Sequence, residues 1–383
     1  MRSLILATIL AILPLPAAAS SEPYIPASPE TSLLEVTPST DPTTRRIAEL
    51  RRQLTTDPKD TATAAALAQI YVATARAQND PRYWGYAEAV LRPWAEASDL
   101  VPELLLLRST VRQNAHDFSA ARQDLDVLLT DNPMHHQARL SRAFIHQALG
   151  DPAQGMEDCN ALRGARPVLV LATCQARMMS LMGEAELALD LLGRALDNSV
   201  PREDPTLIHW ALAIQADTAR RLGRLELAEG HWRRILATAP DNSRALQGLA
   251  DCLLLQDRPL AVLELQGDGL DVRRLLARQR LGHGSEAELA RLAQKFSTTH
   301  PTDGPRDLRN ETLFALTTGD DPALTLDLAR ANWATHQEPD DARLLLRAAI
   351  AAGDREQVSN VADWVRSRGL EDSEIERMLG DEV

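Results

Sequence analysis

The chain runs to 383 residues, long enough for two or three ordinary domains or for one elongated array of repeats. Hydrophobic residues at 44% and charged residues at 25% exclude wholesale disorder and an integral membrane protein. A net charge of −13 with no basic run argues against nucleic acid or an anionic membrane surface as partner, because the long-range field repels both.

The first 19 residues read as a secretory signal peptide. Arg2 gives a positive start, Leu4 to Leu15 is an apolar core broken only by Thr8 and Pro14, and Ala17, Ala18 and Ala19 fit a small-x-small cleavage site. That run is too short to cross a bilayer core of ~30 Å as a helix, which makes an uncleaved anchor the weaker reading. No Cys stands near the cleavage point, so the expected destination is the periplasm or the outside rather than a lipoprotein anchor. Residues 20–44 carry Pro23, Pro26, Pro29, Pro38 and Pro42 among Ser and Thr, with no Lys or Arg, and are expected to form an extended linker.

From Arg45 onward, helix follows helix, punctuated by Asp-Pro, Gly-Asp and Asn-Pro turns. Aromatics at only 4% of the residues also favour helices over a β-sandwich or barrel. Pro133, Pro167 and Pro201 stand 34 residues apart, and Pro240 follows after an insert. Aligned on them, Ala143, Ala176 and Ala216 are each followed seven residues later by Gly150, Gly183 and Gly223. In the second helix Ala228 precedes Trp232, Ile235, Leu236 and Pro240 with the spacing by which Ala121 precedes Leu125, Leu128, Leu129 and Pro133. This pattern resembles the tetratricopeptide repeat, a helix-turn-helix unit of about 34 residues with small residues at close helix crossings. The family's Trp at the first apolar position and its first-helix Tyr are mostly replaced here. The resemblance covers residues 45–256 as repeats and 257–383 as degenerate helical pairs with an acidic C-terminal cap. It implies an all-α fold, a right-handed superhelical solenoid of roughly eight helix pairs.

The same register implies a concave groove lined by first-helix positions: Gln137, Leu140, Phe144 and Gln147, then Thr173, Arg177 and Ser180, then Trp210, Asp217 and Arg220, then Arg244, Gln247 and Asp251. Such a lining suits an extended peptide, with amides pairing its backbone and Phe144 or Trp210 taking a side chain, although an edge or an end of the superhelix could bind instead. In that alignment Cys159 lies on one second helix and Cys174 on the next first helix. A disulfide between them is favoured in an oxidising compartment; the alternative is two buried, inert thiols. Cys252 is left over.

Other features point away from chemistry. His116, His135, His136 and His146 lack the spacing of a metal site and read as solvated or capping. Asp321, Asp340 and Asp341 stand beside Pro322 and Pro339 where helix starts want negative charge. The segments RDLRNE (306–311) and NWATHQEPDDA (332–342) read as solvated polar faces. Arg82, Tyr83, Trp84 and Tyr86 are either a ligand-facing rim or, more commonly, glue within a lengthened helix pair. No nucleophile elbow, zinc helix or phosphate loop is present. The expectation is therefore a non-enzymatic, exported scaffold for a protein or peptide partner in a bacterial envelope, with no cofactor and no metal. The alternatives are a metal- or small-molecule-binding accessory to envelope transport, and a cell-wall hydrolase.

Overall fold

The computed structural model describes residues 41–78, 80–164, 167–199, 203–297 and 306–381. The expected signal peptide at 1–19, the expected linker as far as residue 40 and Pro201 lie outside them. Met1–Ala48 and Glu49–Val383 are separate compact units. Of the first, what is described is the start of helix α1 (Pro42–Thr56). That helix begins three residues before the expected boundary at Arg45. The Asp41 carboxylate accepts from the Thr44 N–H at 2.6 Å and its hydroxyl at 2.8 Å, and Pro42 sits in the first turn, where its missing N–H costs nothing.

The second unit is a run of helical hairpins, and the described residues contain no strand. The pairs are α2 (Thr61–Gln78) with α3 (Arg82–Leu91), α4 (Pro102–Asn114) with α5 (Phe118–Asp131), α6 (His136–Ala148) with α7 (Pro152–Ala161), and α8 (Val168–Met179) with α9 (Ala185–Asp197). Next come α10 (Pro205–Arg221) with α11 (Leu225–Leu236), α12 (Ser243–Leu255) with α13 (Pro259–Glu264), and α14 (Asp271–Arg280) with α15 (Glu286–Ser297). Then follow α16 (Leu308–Thr318) with α17 (Pro322–Thr335), α18 (Pro339–Ala352) with α19 (Arg355–Arg368), and a final α20 (Ser373–Asp381). The fold is all-α, with nine hairpins among the described residues where roughly eight were expected.

Each hairpin from α4 onward turns through a residue with left-handed backbone: His116, Gly150, Gly183, Gly223, Asp257, Gly282, Gly319 and Gly353. Gly is the usual choice there, since a Cβ is strained at positive φ. His116 and Asp257 stand 34 residues before Gly150 and after Gly223, so they hold the same turn at some conformational cost. Five residues after four of these turns come Ala121, Gly155, Ala188 and Ala228, all buried at helix crossings. At Gly155 a Cβ would lie 2.9 Å from the Ala143 carbonyl oxygen and 2.8 Å from the Met178 sulfur, so only glycine fits.

Between hairpins the apolar stripes interlock into successive cores. Leu105, Leu125, Leu128 and Ile145 form one. Ala216, Ala228, Trp232, Ile235 and Leu249 belong to a larger one. Burial of whole Leu, Ile and Trp side chains, about 1.5–3 kcal/mol each for the aliphatic ones, is the main local stabilisation. A C-terminal core of Leu326, Leu345, Leu346, Val361 and Ile375 also takes in Leu181, which comes from the turn between α8 and α9.

Candidate functional site

Several of the expected groove positions, Gln147, Arg177 and Arg220 among them, meet the chain's own C-terminal helices. Glu338, the N-cap of α18, is the centre of the contact. Gln147 donates its side-chain amide to the Glu338 carboxylate, Arg177 Nε donates to Gln147 Oε1 at 2.8 Å, and Arg177 Nη2 reaches Glu338 at 3.3 Å. Arg309 from α16 holds the other Glu338 oxygen at 3.2 Å. Burial alone would raise the Glu338 carboxyl, but Arg177, Arg309 and Arg244 outweigh it and hold it well below the usual carboxylate range.

Further along, Arg220 pairs with Asp340 at 3.0 Å and with Glu374 at 2.8 Å. Arg343 pairs with Asp340 and with the fully buried Asp372. The turns close against each other as well. The Gln337 N–H donates to the Ala148 carbonyl at 3.1 Å, Arg368 donates to the Gly150 carbonyl at 2.7 Å, and the Ala185 N–H donates to Glu371 at 2.9 Å. A Cβ on Gly183 would stand 2.8 Å from the Gly369 carbonyl oxygen, so two backbones touch there without side chains between them.

The expected groove residues therefore divide. Gln147, Arg177 and Arg220 grip the C-terminal helices. Asp217 pairs with Arg244 across neighbouring first helices, and Asp251 takes a two-pronged contact from Arg273 at 2.7 and 2.9 Å. Thr173 and Ser180 are buried with their hydroxyls on the Leu169 and Arg177 carbonyls. Gln247 packs beside the Gly269 turn. Phe144 and Trp210 stack edge to face at 5.3 Å, Leu140 is half-buried, and Gln137 is exposed. Because Arg177 and Arg220 fasten the C-terminal helices, truncating them would loosen the fold and would not read partner capture cleanly.

Two readings of the sequence need correction. The segments at 306–311 and 332–342 are not solvated faces. Arg309 donates twice to Asp341 at 2.8 Å, Asn332 adds a bond at 2.7 Å, and Asp341 and Asn332 are buried. These residues are polar because they meet a polar, Arg-rich wall of the same chain. His116 and His146 are not solvated either. The His116 ring stands 4.4 Å from that of His336 and 5.8 Å from Phe118, and His146 is buried. Burial pushes His116 down to about 4. His135 caps α6 through Nδ1, which accepts from the Ala138 N–H at 3.2 Å, and His136 is exposed. Asp321 caps α17, accepting from the Leu324 N–H at 3.0 Å. Tyr71, Tyr83 and Tyr86 pack on one another with Arg51 over two of the rings, which makes them glue between α1, α2 and α3.

Cys159 and Cys174 are disulfide-bonded, joining α7 to α8 with a Cα–Cα distance of 5.5 Å. Cys252 is a buried free thiol that burial pushes up to about 12, which makes it inert. Among the described residues no group of three or more His, Cys, Asp or Glu is placed to hold a metal, and no helix is long and apolar enough to cross a membrane.

The hairpins from α4 onward share left-handed turns, and small residues stand at four of their crossings. The fold is an all-α array of helical hairpins. No protein-family model matches the sequence, and no curated protein matches it. Solved structures similar to it include PilW, described as a widely conserved type IV pilus biogenesis factor, at 14% identity and a TM-score of 0.37, covering 74% of this chain and 100% of that one. A tetratricopeptide repeat protein from Parabacteroides merdae aligns at 12% identity and a TM-score of 0.39, over 79% of this chain and 99% of that one. The Cut9–Hcn1 hetero-tetramer of the APC/C aligns at 13% identity and a TM-score of 0.44, over 80% of this chain but only 52% of that one.

Beside the Glu338 contact lies an open cavity. Its volume is about 520 Å³, and it is bounded by Trp84, Phe118 and Phe144, by the amide side chains of Gln113, Asn114 and Gln147, and by Arg76, His116, His336 and Glu338. Arg76 lies 5.8 Å over the Trp84 ring. The side-chain amides of Gln113 and Asn114 have no hydrogen-bond partner among the described residues. The sequence signal that could have found this site is weak: Trp84 sits in the aromatic cluster and Phe144 in the groove register, 60 residues apart.

Proposed function

We propose that the protein is an exported, non-enzymatic scaffold that holds an extended segment of a protein partner at this open cavity. The carrying observation is the 520 Å³ cavity, where aromatic faces stand beside the amides of Gln113 and Asn114, which no described residue bonds. Aromatic anchors supply contact area at small entropic cost, and unused amides can pair a peptide backbone. The basic, apolar and small-residue run at the N-terminus supports export, as does the Cys159–Cys174 bridge, since such bonds persist in oxidising compartments.

A photo-crosslinking residue placed at Gln113 in the envelope-expressed protein should give one discrete adduct, and the same residue at the exposed Leu187 should give none. Trp84→Ala with Phe144→Ala should abolish the adduct without changing the circular dichroism spectrum. Equal labelling from both positions overturns the site. Intact Met1 in a membrane fraction overturns the export.

A further inference from the structure

Next to the ionic seam lies a second cavity, of about 290 Å³, between α10, α12 and α14 on one side and α16, α18 and α20 on the other. Seven arginines line it against four carboxylates, in a chain whose net charge is −13. Five of the arginines are satisfied by carboxylates of the seam: Arg220, Arg244, Arg273, Arg309 and Arg343. Arg280 and Arg347 are not. Arg280 gives one nitrogen to the Leu254 carbonyl and has no ion pair, and Arg347 has neither a hydrogen bond nor an ion pair among the described residues. Both residues are exposed and line the cavity, and the carboxylates of Glu374 and Asp251 act on Arg347 together with the neighbouring Arg280 and Arg220. Nearby, the buried Arg220 Nε also lacks a partner.

Guanidinium groups that merely glue a seam are paired off, as the other five are. Arg280 and Arg347 instead keep guanidinium donors uncommitted on a cavity where arginines outnumber carboxylates, and a bound anion would find those donors ready to pair. Leu254, Leu276, Leu313 and Leu344 supply an apolar wall to the same cavity. We propose that this cavity binds a small organic oxyanion, a carboxylate or phosphate monoester, with its head on Arg280 and Arg347 and a short apolar body against the leucines. Planar guanidinium forks suit both head groups, and the volume is that of a small ligand rather than a peptide chain. The site is separate from the partner cavity, and its test does not involve a partner.

The full chain is titrated calorimetrically with hexanoate, with hexyl phosphate and with hexylammonium at constant ionic strength. At least one of the two anions should bind saturably and raise the melting temperature, which identifies the head group, and hexylammonium should do neither. Arg280→Gln and Arg347→Gln should each weaken binding by about tenfold or more, the size expected for losing a charged hydrogen bond. Arg355→Gln, on the exposed start of α19, should leave it unchanged. In the unmutated protein the bound anion should protect Arg280 and Arg347 from phenylglyoxal, a readout that survives even if a variant misfolds. No saturable binding of either anion, equal binding of hexylammonium, or unaltered modification of both arginines overturns the proposal.

Discussion

The hairpins between residues 102 and 264 and the seam that joins them to the C-terminal helices are held together by different balances of contacts. Inside the hairpins the contacts are mainly apolar, joined by buried and half-buried pairs such as Arg108 with Asp124 and Arg142 with Asp158, and partners are close in sequence: Ala121 with its Leu125 and Leu128, Ala228 with its Trp232 and Ile235. Across the seam the contacts are mainly polar, many of them ionic, and partners such as Arg220 with Asp340, or Arg368 with the Gly150 carbonyl, stand 120 and 218 residues apart. Apolar burial is non-directional and survives small shifts, whereas a buried ion pair stabilises only when both members arrive in good geometry. The hairpin array is therefore expected to form from local contacts, and the seam to depend on its completion.

The largest effect should come from breaking the seam with an unpaired charge. Arg343→Met leaves the fully buried Asp372 without its cation, at a cost of about 3–5 kcal/mol. Urea denaturation checks it, and a loss no larger than that of an exposed arginine such as Arg355→Met would show that the seam carries little stability.

Next is the bridge inside the hairpin array. Cys159→Ser with Cys174→Ser opens a link with a sequence separation of 15 and should cost about 3 kcal/mol by the chain-entropy estimate. Non-reducing peptide mapping of the purified protein should first find that linkage; three free thiols would contradict it.

A smaller loss tests the apolar half of the comparison. Ala216→Leu or Ala228→Leu, each at a fully buried crossing, should cost roughly 1–3 kcal/mol through overpacking. Unchanged melting for both would mean that the crossings are looser than their burial implies.

The smallest effect is on pH dependence. Burial holds His116 at about 4 and lowers His336 too, with Arg309, Asp307 and Glu338 as the charged groups around them. The unfolded chain takes up these protons near pH 6.5 while the folded chain does not. Stability is thus full above pH 6.5, falls as pH drops towards 4, and then levels for His116. His336→Phe should flatten that slope in melts between pH 7 and pH 4. A slope unchanged by it would place the titration elsewhere.

Legibility followed the same divide. The 34-residue spacing, the Ala and Gly at crossings and turns, and the proximity of Cys159 to Cys174 were open to reading, because each is a relation between neighbours along one or two helices. Two turns escaped it: His116 and Asp257 hold the left-handed position without being glycine, although their 34-residue offsets from Gly150 and Gly223 were available. Glu338, Asp340 and Arg309 read as surface residues because nothing local distinguishes a carboxylate that faces water from one that faces a distant arginine.

What the sequence by itself determined is the hairpin: helix periodicity, small residues where backbones cross, and a left-handed turn fix each pair without reference to the rest. What only the tertiary structure decided is which of the first-helix positions remain open. Arg177 and Arg220 occupy groove positions in any alignment, but whether they meet a partner or the chain's own Glu338, Asp340 and Glu374 depends on where the C-terminal helices come to rest. That placement is set by long-range charge pairing and by the close approach of Gly183 to Gly369, neither of which leaves a periodic mark in the chain.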